Sequence, residues 1–332
     1  MTGQGITERI YPIGIQSFPE IIEKGYIYVD KTRFIAQLVK EGKYIFLSRP
    51  RRFGKSLLLS TIQAYFEGRR ELFKGLDIDN MDMDWIPMPV LYFDFNTGNF
   101  KSNNGLENRL ITHLSRYEKQ YDVELRMEHD IILRFENLIS EIYYKTGHRV
   151  VILVDEYDKP LLGIEENPDL FEKNQTLLKG FFSNLKSMDA YIEFGMLTGV
   201  ARFSKVSIFS DLNNLDDISM YEDYQEICGW TEEELISYFQ SGIETLALKR
   251  HELPEQTIDE LRKFYDGYLF CGEGKRLYNP FSVLRALRSK AILPYWFETG
   301  TPTFLAKRIK KSGIEPEFIN GQTQSYSNLI AV

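Results

Sequence analysis

YIFLSRPRRFGKSLLL, residues 44–59, joins three local signals in one short run. Its first part, YIFLS at 44–48, is an apolar run that is typical of a buried strand. Its last part continues from Ser56 as an apolar helix. Between them lies Gly-Lys-Ser at 54–56, which ends the phosphate-loop pattern G-x-x-x-x-G-K-S/T. A strand, a turn and a helix in this order are the context that such a loop needs, so the run predicts a site for the phosphates of a nucleotide.

The residue types of the loop fit a nucleotide that is bound with Mg²⁺. Gly54 lets the backbone approach the phosphates, Lys55 would reach the β- and γ-phosphates, and Ser56 would hold Mg²⁺ through its hydroxyl. Arg49 stands where the pattern has its first glycine, so the early turn must be made another way, with Pro50 as a candidate. The alternative interpretation is a Gly-Lys-Ser in an ordinary loop. The predicted nucleotide-binding residues are Arg51, Arg52, Phe53, Gly54, Lys55, Ser56 and Leu57.

A second motif follows the clearest buried strand in the sequence. Residues 150–154 read VVILV, and the carboxylates Asp155 and Glu156 come directly after them. Hydrolysis of a nucleotide needs one acid that orients Mg²⁺ with its bound water and another that positions the attacking water. Asp155 is predicted for the first role and Glu156 for the second, with Asp158 as a helper or competitor. The alternative is an acidic turn that caps a core strand.

The order of predicted elements favours an α/β fold. Strands are predicted at 44–48, 90–95, 150–154 and 191–200, with amphipathic helices between them. This alternation is typical of a parallel sheet with helices on both faces. After about residue 230 the pattern changes to short helices around turns, beginning with a well-capped helix at 231–239.

Composition narrows the classes of protein. The chain has 332 residues and a formal net charge of −8, with acids and bases mixed along it. This balance does not support direct binding to nucleic acid, for which a basic domain is expected. Two cysteines make no disulfide framework, and the four histidines show no zinc-site spacing. No run approaches the roughly 18–20 apolar residues that cross a bilayer, so we expect a soluble, cytoplasmic protein without a membrane partner.

Three motifs together resemble the AAA-ATPase-like family of bacterial and archaeal proteins. They are YVDKT at 28–32, RPRRFGKSL at 49–57 and VDEYDKPL at 154–161. LTGVARFSKVSIFS at 197–210 is similar to the family as well. The resemblance extends from about residue 10 to 310, and it implies that arginine at position 49 is the family's own form of the loop.

The resemblance implies an additional-strand P-loop core that is followed by a small, mainly helical domain. We place the core at 1–228, the helical domain at 229–311, with a winged-helix-like arrangement as one option, and a tail or linker at 312–332. It also implies further site residues. Thr198 matches the position that senses the γ-phosphate, and Arg202 is a candidate for charge compensation. Tyr28 and Asp30 match a segment that lines the adenine pocket.

Family members commonly continue into a C-terminal nuclease-like domain of the PD-(D/E)xK type. Such a site needs Glu-x-Lys on a strand to hold a metal. The two candidates, Glu-Gly-Lys at 41–43 and 273–275, both read as turns. The resemblance therefore implies either this missing domain or a separate protein as the partner, with an oligomer also possible.

Three hypotheses about function remain after these observations. The first is an ATPase that acts as a nucleotide-state switch on a partner or attached domain, with ATP and Mg²⁺ as its ligands. The second is a module that holds ATP and hardly turns it over. The third is the regulatory half of a nuclease that processes nucleic acid. The presence of both Asp155 and Glu156 favours the first, because a pure binder does not need a residue that positions water.

Overall fold

The computed structural model describes residues 10–124, 130–200, 214–272 and 274–295. The strands are β1 (Tyr44–Ser48), β2 (Val90–Asp94), β3 (Val150–Asp155), β4 (Ile192–Gly199) and β5 (Asp216–Asp217). The helices are α1 (Phe18–Glu23), α2 (Thr32–Glu41), α3 (Lys55–Phe66), α4 (Gly105–Gln120), α5 (Ile131–Thr146), α6 (Pro168–Ser187), α7 (Glu232–Arg250), α8 (Pro254–Tyr265) and α9 (Pro280–Ser289).

The described residues form two compact units, and the chain passes between them several times. We call the first the sheet unit; among the described residues it holds 39–50, 86–124, 130–200 and 214–218. The second, the helical unit, holds 10–38, 51–85, 219–272 and 274–295. The predicted division at 228/229 stays a prediction, since it concerns which segments fold on their own.

All five strands of the sheet unit are parallel, in the order β2-β3-β4-β1-β5. β4 lies between β1 and β3, which is the additional-strand arrangement. Every residue of β1 and of β3 is buried. Since successive side chains point to opposite faces, both faces of these strands are covered. The predicted α/β fold with a parallel sheet is therefore confirmed.

Apolar rings fill the core on one face of the sheet unit. Phe93 of β2 meets Phe135 of α5 and Phe181 of α6, each with ring centroids 5.2 Å apart. Phe135 also stacks on Phe181 at 4.2 Å. These contacts pack α5 and α6 against the sheet.

The helical unit combines the N-terminal segment with α7, α8 and α9. α7 begins at a capping box, in which Thr231 and Glu234 each bond the other's backbone N–H. Ile27 and Val29 share one buried cluster with residues of these helices, among them Leu235. The helix that the sequence predicted from position 231 is thus present, and its apolar face is partly covered by residues from the start of the chain. Among the described residues, none of the helices has the length and apolar character that a membrane span requires.

Candidate nucleotide site

The carboxyl edge of the sheet unit brings together the ends of three strands. β4 pairs with β1 so that Thr198 faces Leu47 and Gly199 faces Ser48. On its other side β4 pairs with β3, with Leu197 opposite Val154. The register therefore places the residues that follow β1 and β3 on either side of the end of β4. In open α/β sheets this edge is where ligands bind.

Asp155 is held in one position at this edge. Its side chain is buried, and its Oδ1 accepts a hydrogen bond from the Thr198 hydroxyl at 2.7 Å. The Tyr92 hydroxyl donates to Oδ2 over a longer 3.4 Å. The Thr198 hydroxyl, which the sequence assigned to the γ-phosphate, is thus also a fixed partner of the predicted magnesium ligand.

Glu156 has a backbone conformation that few residues of its type adopt. Its φ is +52°, in the left-handed region that favours glycine. Its Oε2 lies 3.3 Å from Nζ of Lys159, one turn further along the chain. Strained backbone of this kind persists where the surroundings fix it and is concentrated at functional sites.

Asp158 stabilises the backbone at the end of β4. It is buried, and its Oδ2 accepts the backbone N–H of Val200 at 2.8 Å. A Cβ on Gly199 would lie 2.5 Å from the ring of Tyr157 and 3.1 Å from Cγ of Asp158. The geometry gives Asp158 a structural contact at this edge, whereas the sequence left it open as a helper or a competitor.

A fourth carboxylate at this edge was missed by the sequence interpretation. Asp94 ends β2 and lies directly opposite Asp155 in the register. Burial raises the pKa of Asp94, and the negative charge of Asp155 adds to the rise. Arg109 donates to the backbone carbonyl of Asp94 from Nε at 3.0 Å and from Nη2 at 2.6 Å. The available signal was the run VLYFD, which ends in an aspartate as VVILVD does.

The phosphate loop leads into α3 in the helical unit. Gly54 has a φ of +99° at the helix N-cap, and its carbonyl accepts the N–H of Leu58 at 2.9 Å. Lys55 is the first helical residue and is buried, while Ser56 is half-buried. Arg52 also has a positive φ, +66°. The turn before the helix therefore requires glycine at 54, and the first helical N–H groups follow directly, as an anion site at a helix N-terminus requires.

Two of the predicted loop residues use their side chains elsewhere. The Phe53 ring is buried in the helical unit, and the Arg52 guanidinium lies 4.6 Å from the centroid of the Phe281 ring. The group of Phe53 that can bond a phosphate is therefore its backbone N–H.

The segment 28–32 is fixed by hydrogen bonds of its own. Asp30 accepts from the backbone N–H of Thr32 at 2.8 Å and from its hydroxyl at 2.7 Å. Its other oxygen accepts the N–H of Asp77 at 2.7 Å. The Tyr28 ring meets Phe18 edge-on at 5.1 Å, and burial raises the pKa of its hydroxyl. Asp30 thus stabilises the start of α2, and the role of this segment beside an adenine stays a prediction.

Comparison with known proteins assigns the chain to a family. The model of the AAA-ATPase-like family, described as a predicted AAA-ATPase, matches residues 12–209. This chain belongs to that family.

A relative of this AAA-ATPase-like protein is the "Uncharacterized protein in vnfD 5′region" of Azotobacter chroococcum mcd 1. The two are 43% identical over 302 residues, which are 90% of this chain and 56% of the relative. The chain therefore spans little more than half of that protein's length.

A solved structure that shares some similarity is the ORC2 protein of Aeropyrum pernix, in ADPNP and ADP complexes. It is 13% identical, covers 90% of this chain with 81% of its own, and has a TM-score of 0.38. This similarity is too low to assign a function.

The remaining predicted residues of the AAA-ATPase-like protein can now be located. Arg202 lies outside the described residues, as does Glu273 of the second Glu-Gly-Lys. The first, at 41–43, runs from the last residue of α2 to the start of β1, and its lysine bonds Asp189 at 2.7 Å. Within 10–124, 130–200, 214–272 and 274–295, no three His, Cys, Asp or Glu side chains are grouped as a metal site. Mg²⁺ bound with a nucleotide needs only one or two protein ligands, because phosphates and water complete its shell.

Proposed function

We propose that this protein binds ATP with Mg²⁺ and hydrolyses it, and that its nucleotide state switches a partner or an attached domain. One observation carries the proposal. β1 ends at the same edge of the sheet as Asp155, and the chain continues from β1 into Gly54, Lys55 and the start of α3. Chain order, strand register and loop chemistry agree with those of a phosphate-loop enzyme.

Each residue of the loop has a role that its chemistry supports. The N-terminus of α3 carries partial positive charge, and its first N–H groups lie beyond the hydrogen bonds of the helix itself, so this end of the helix attracts phosphate oxygens. Lys55 adds a full charge to the β- and γ-phosphates. Gly54 supplies the left-handed turn that lets the backbone face the ligand.

The proposed magnesium ligands are oxygen donors, as the ion prefers. Ser56 would contribute its hydroxyl, and Asp155 a carboxylate oxygen, directly or through water. The Thr198 hydroxyl donates to Asp155 Oδ1 and so orients the carboxylate that is proposed to hold the cation. Mg²⁺, when bound, would neutralise charge that develops on the phosphates.

Hydrolysis itself would rest on Glu156, which we assign to the attacking water. The left-handed backbone of Glu156 supports this role, because a strained position is retained where it serves a function. Thr198 is proposed to report the γ-phosphate to Asp155, and Arg202 to compensate charge within the chain or across an oligomer.

The alternative is a nucleotide-binding module with little turnover, and a regulatory role beside a nuclease is a further one. The matched residues span 56% of the A. chroococcum relative, so a domain or partner that receives the signal is a proposal of its own.

The test compares Mg-ATP binding and phosphate release in the wild type, Lys55→Ala and Glu156→Gln. A ligand at about a hundred times its Kd stabilises a fold by about 2.7 kcal/mol, which shows as a higher Tm. We expect the wild type and Glu156→Gln to bind, Lys55→Ala to bind poorly, and only the wild type to release phosphate. Lys40→Ala and Glu172→Gln, at exposed positions on α2 and α6, are matched controls for lost charge.

Binding without phosphate release by the wild type would favour the module with little turnover. Absence of binding by the wild type would contradict the nucleotide proposal altogether.

A further inference from the structure

Phe53 lies in the middle of the phosphate loop, directly before Gly54, yet its ring is only 1% exposed. It is not covered by neighbours along the chain. Its ring meets Tyr268 at 4.7 Å and Phe270 at 5.4 Å, both edge-on, with interplanar angles of 68° and 89°. A loop residue is thus anchored in an aromatic pocket built more than two hundred positions later in the chain.

The backbone of Phe53 is held by a second contact. Its carbonyl accepts a hydrogen bond from the N–H of Gly229 at 3.1 Å. Gly229 has a φ of +86°, and a Cβ there would lie 2.5 Å from the Phe53 ring. Glycine at 229 therefore serves both its own backbone conformation and the close approach of this ring.

Arg52, the residue before Phe53, also contacts the C-terminal part of the helical unit. Arg52 adopts a φ of +66° and places its guanidinium 4.6 Å from the centroid of Phe281, on α9. Cation–π contacts of this kind stabilise the arrangement modestly. Two consecutive residues of the loop therefore reach into the C-terminal part of the helical unit.

The segments that contact Arg52 and Phe53 are hydrogen-bonded to one another. Trp230 and Tyr278 exchange backbone hydrogen bonds at 3.3 Å and 2.8 Å. Leu277 donates to the carbonyl of Tyr268 at 3.0 Å. Gly229, the 268–270 segment and the start of α9 thus form one support, which we call the loop anchor.

We propose that Phe53 is a positioning residue that, through the loop anchor, fixes the phosphate loop in its nucleotide-binding conformation. The proposal rests on the proposed function and adds that the segment after residue 228 is part of what makes the site. Phe53 acts through the backbone of Gly54 and Lys55 and needs no contact with the nucleotide. A loop that is ordered before binding loses less conformational entropy when the ligand binds.

The experiment compares Phe53→Ala with Phe73→Ala. Phe73 is equally buried in the helical unit, but its ring partners are Phe18 and Trp85, neither of which belongs to the loop or to the loop anchor. Both variants remove one buried ring, so they share a loss of stability. Mg-ATP affinity is measured at a temperature well below both Tm values, together with kcat and KM.

Phe53→Ala is expected to weaken Mg-ATP binding by about ten- to a hundredfold relative to Phe73→Ala, the range in which small misplacements act. Phe53→Leu, which keeps apolar volume, should restore part of the affinity. Gly229→Ala should weaken binding although Phe53 is retained, because its Cβ pushes against the ring.

Equal Mg-ATP affinity of Phe53→Ala and Phe73→Ala, with the wild type binding normally, would overturn the proposal and leave the ATPase function standing. If Phe53→Ala does not fold, Phe53→Leu and Gly229→Ala decide, and wild-type affinity in both would overturn the proposal. Failure of the wild type to bind would overturn the ATPase function and this proposal with it.

Discussion

His113 lies on α4 beneath the end of β2, where its Nε2 is 3.1 Å from the carbonyl oxygen of Asp94. Since a carbonyl can only accept, Nε2 carries the proton of a neutral imidazole. Burial lowers the pKa of His113 to about 4, with the nearby Arg109 and Arg116 adding to the effect. The ring is therefore neutral in the native state above about pH 4.

The pKa of His113 predicts a pH dependence of stability. Below about pH 6.5 the unfolded chain protonates this histidine, while the native state does not until about pH 4. The unfolded state then binds more protons than the native state. The free energy of unfolding therefore decreases by up to about 3 kcal/mol as the pH is lowered across this window. Urea midpoints at several pH values should show a smaller slope in His113→Gln.

His148, which is exposed, supplies the matched control. The slope in His148→Gln should equal that of the wild type. An unchanged slope in His113→Gln would contradict the assignment of a buried, neutral ring.

At the same scale, local sequence predicted some residues of the candidate site and not others. Lys55 and Asp155 were predicted because each belongs to a short motif that follows an apolar run, and that run predicts a strand. Asp94 was missed because its closeness to Asp155 depends on the pairing of β2 with β3, strands that are separated by two helices in the chain. Register between distant strands is set by packing, which no local pattern records.

Among the elements, α4 and α5 are joined by a buried ion pair. Arg134 bonds Glu118 from Nε at 2.5 Å and from Nη2 at 2.6 Å, and its side chain is 4% exposed. Nη2 also bonds the Ser115 hydroxyl at 2.8 Å. Because both charges lie out of water, each depends on the other for compensation.

Removal of one partner of this ion pair should therefore lower the free energy of unfolding strongly. We expect Arg134→Met to lower the free energy of unfolding by about 3–5 kcal/mol, because it leaves Glu118 buried and unpaired. The double change Arg134→Met with Glu118→Leu should recover most of this loss, as measured by chemical denaturation. Lys24→Met, which removes an exposed pair with Glu20, should have far less effect. A double variant no better than the single one would contradict this account.

Elements with strong periodicity were predicted closely, and weak ones were not. The apolar run at 44–48 is β1, and the helix that the pattern places near 168–187 is α6. β5 was missed, since it consists of Asp216 and Asp217 alone. Those residues have no strand preference, and only their pairing with Ile45 and Phe46 of β1 makes them a strand.

At the scale of the whole molecule, the helical unit is assembled from segments that are far apart in the chain. Ile27 and Val29 near the N-terminus are each 7% exposed, and they belong to one cluster with residues of α7 and α9. This core therefore needs residues from the N-terminal segment and from the C-terminal helices together.

This arrangement predicts how a shortened chain behaves. A chain that ends at residue 228 lacks α7, α8 and α9, so Ile27, Val29 and Phe53 lose their cover. We expect its backbone amides at 27–31 and 53–56 to exchange with solvent much faster than in the full chain, as measured by hydrogen exchange. The amides of β3 serve as the internal control and should stay protected. Unchanged protection at 27–31 and 53–56 would support 1–228 as an independently folding core.

The left-handed backbone of Glu156 has a consequence for how chains of this kind diverge. A glutamate at φ +52° costs about 1 kcal/mol that glycine would not. Stability alone therefore drives this position toward glycine, and only a demand for the carboxylate opposes that drift. If Glu156 positions the attacking water as proposed, a lineage released from hydrolysis would gain stability by one substitution here, and the residue at this position would mark which descendants still hydrolyse a nucleotide.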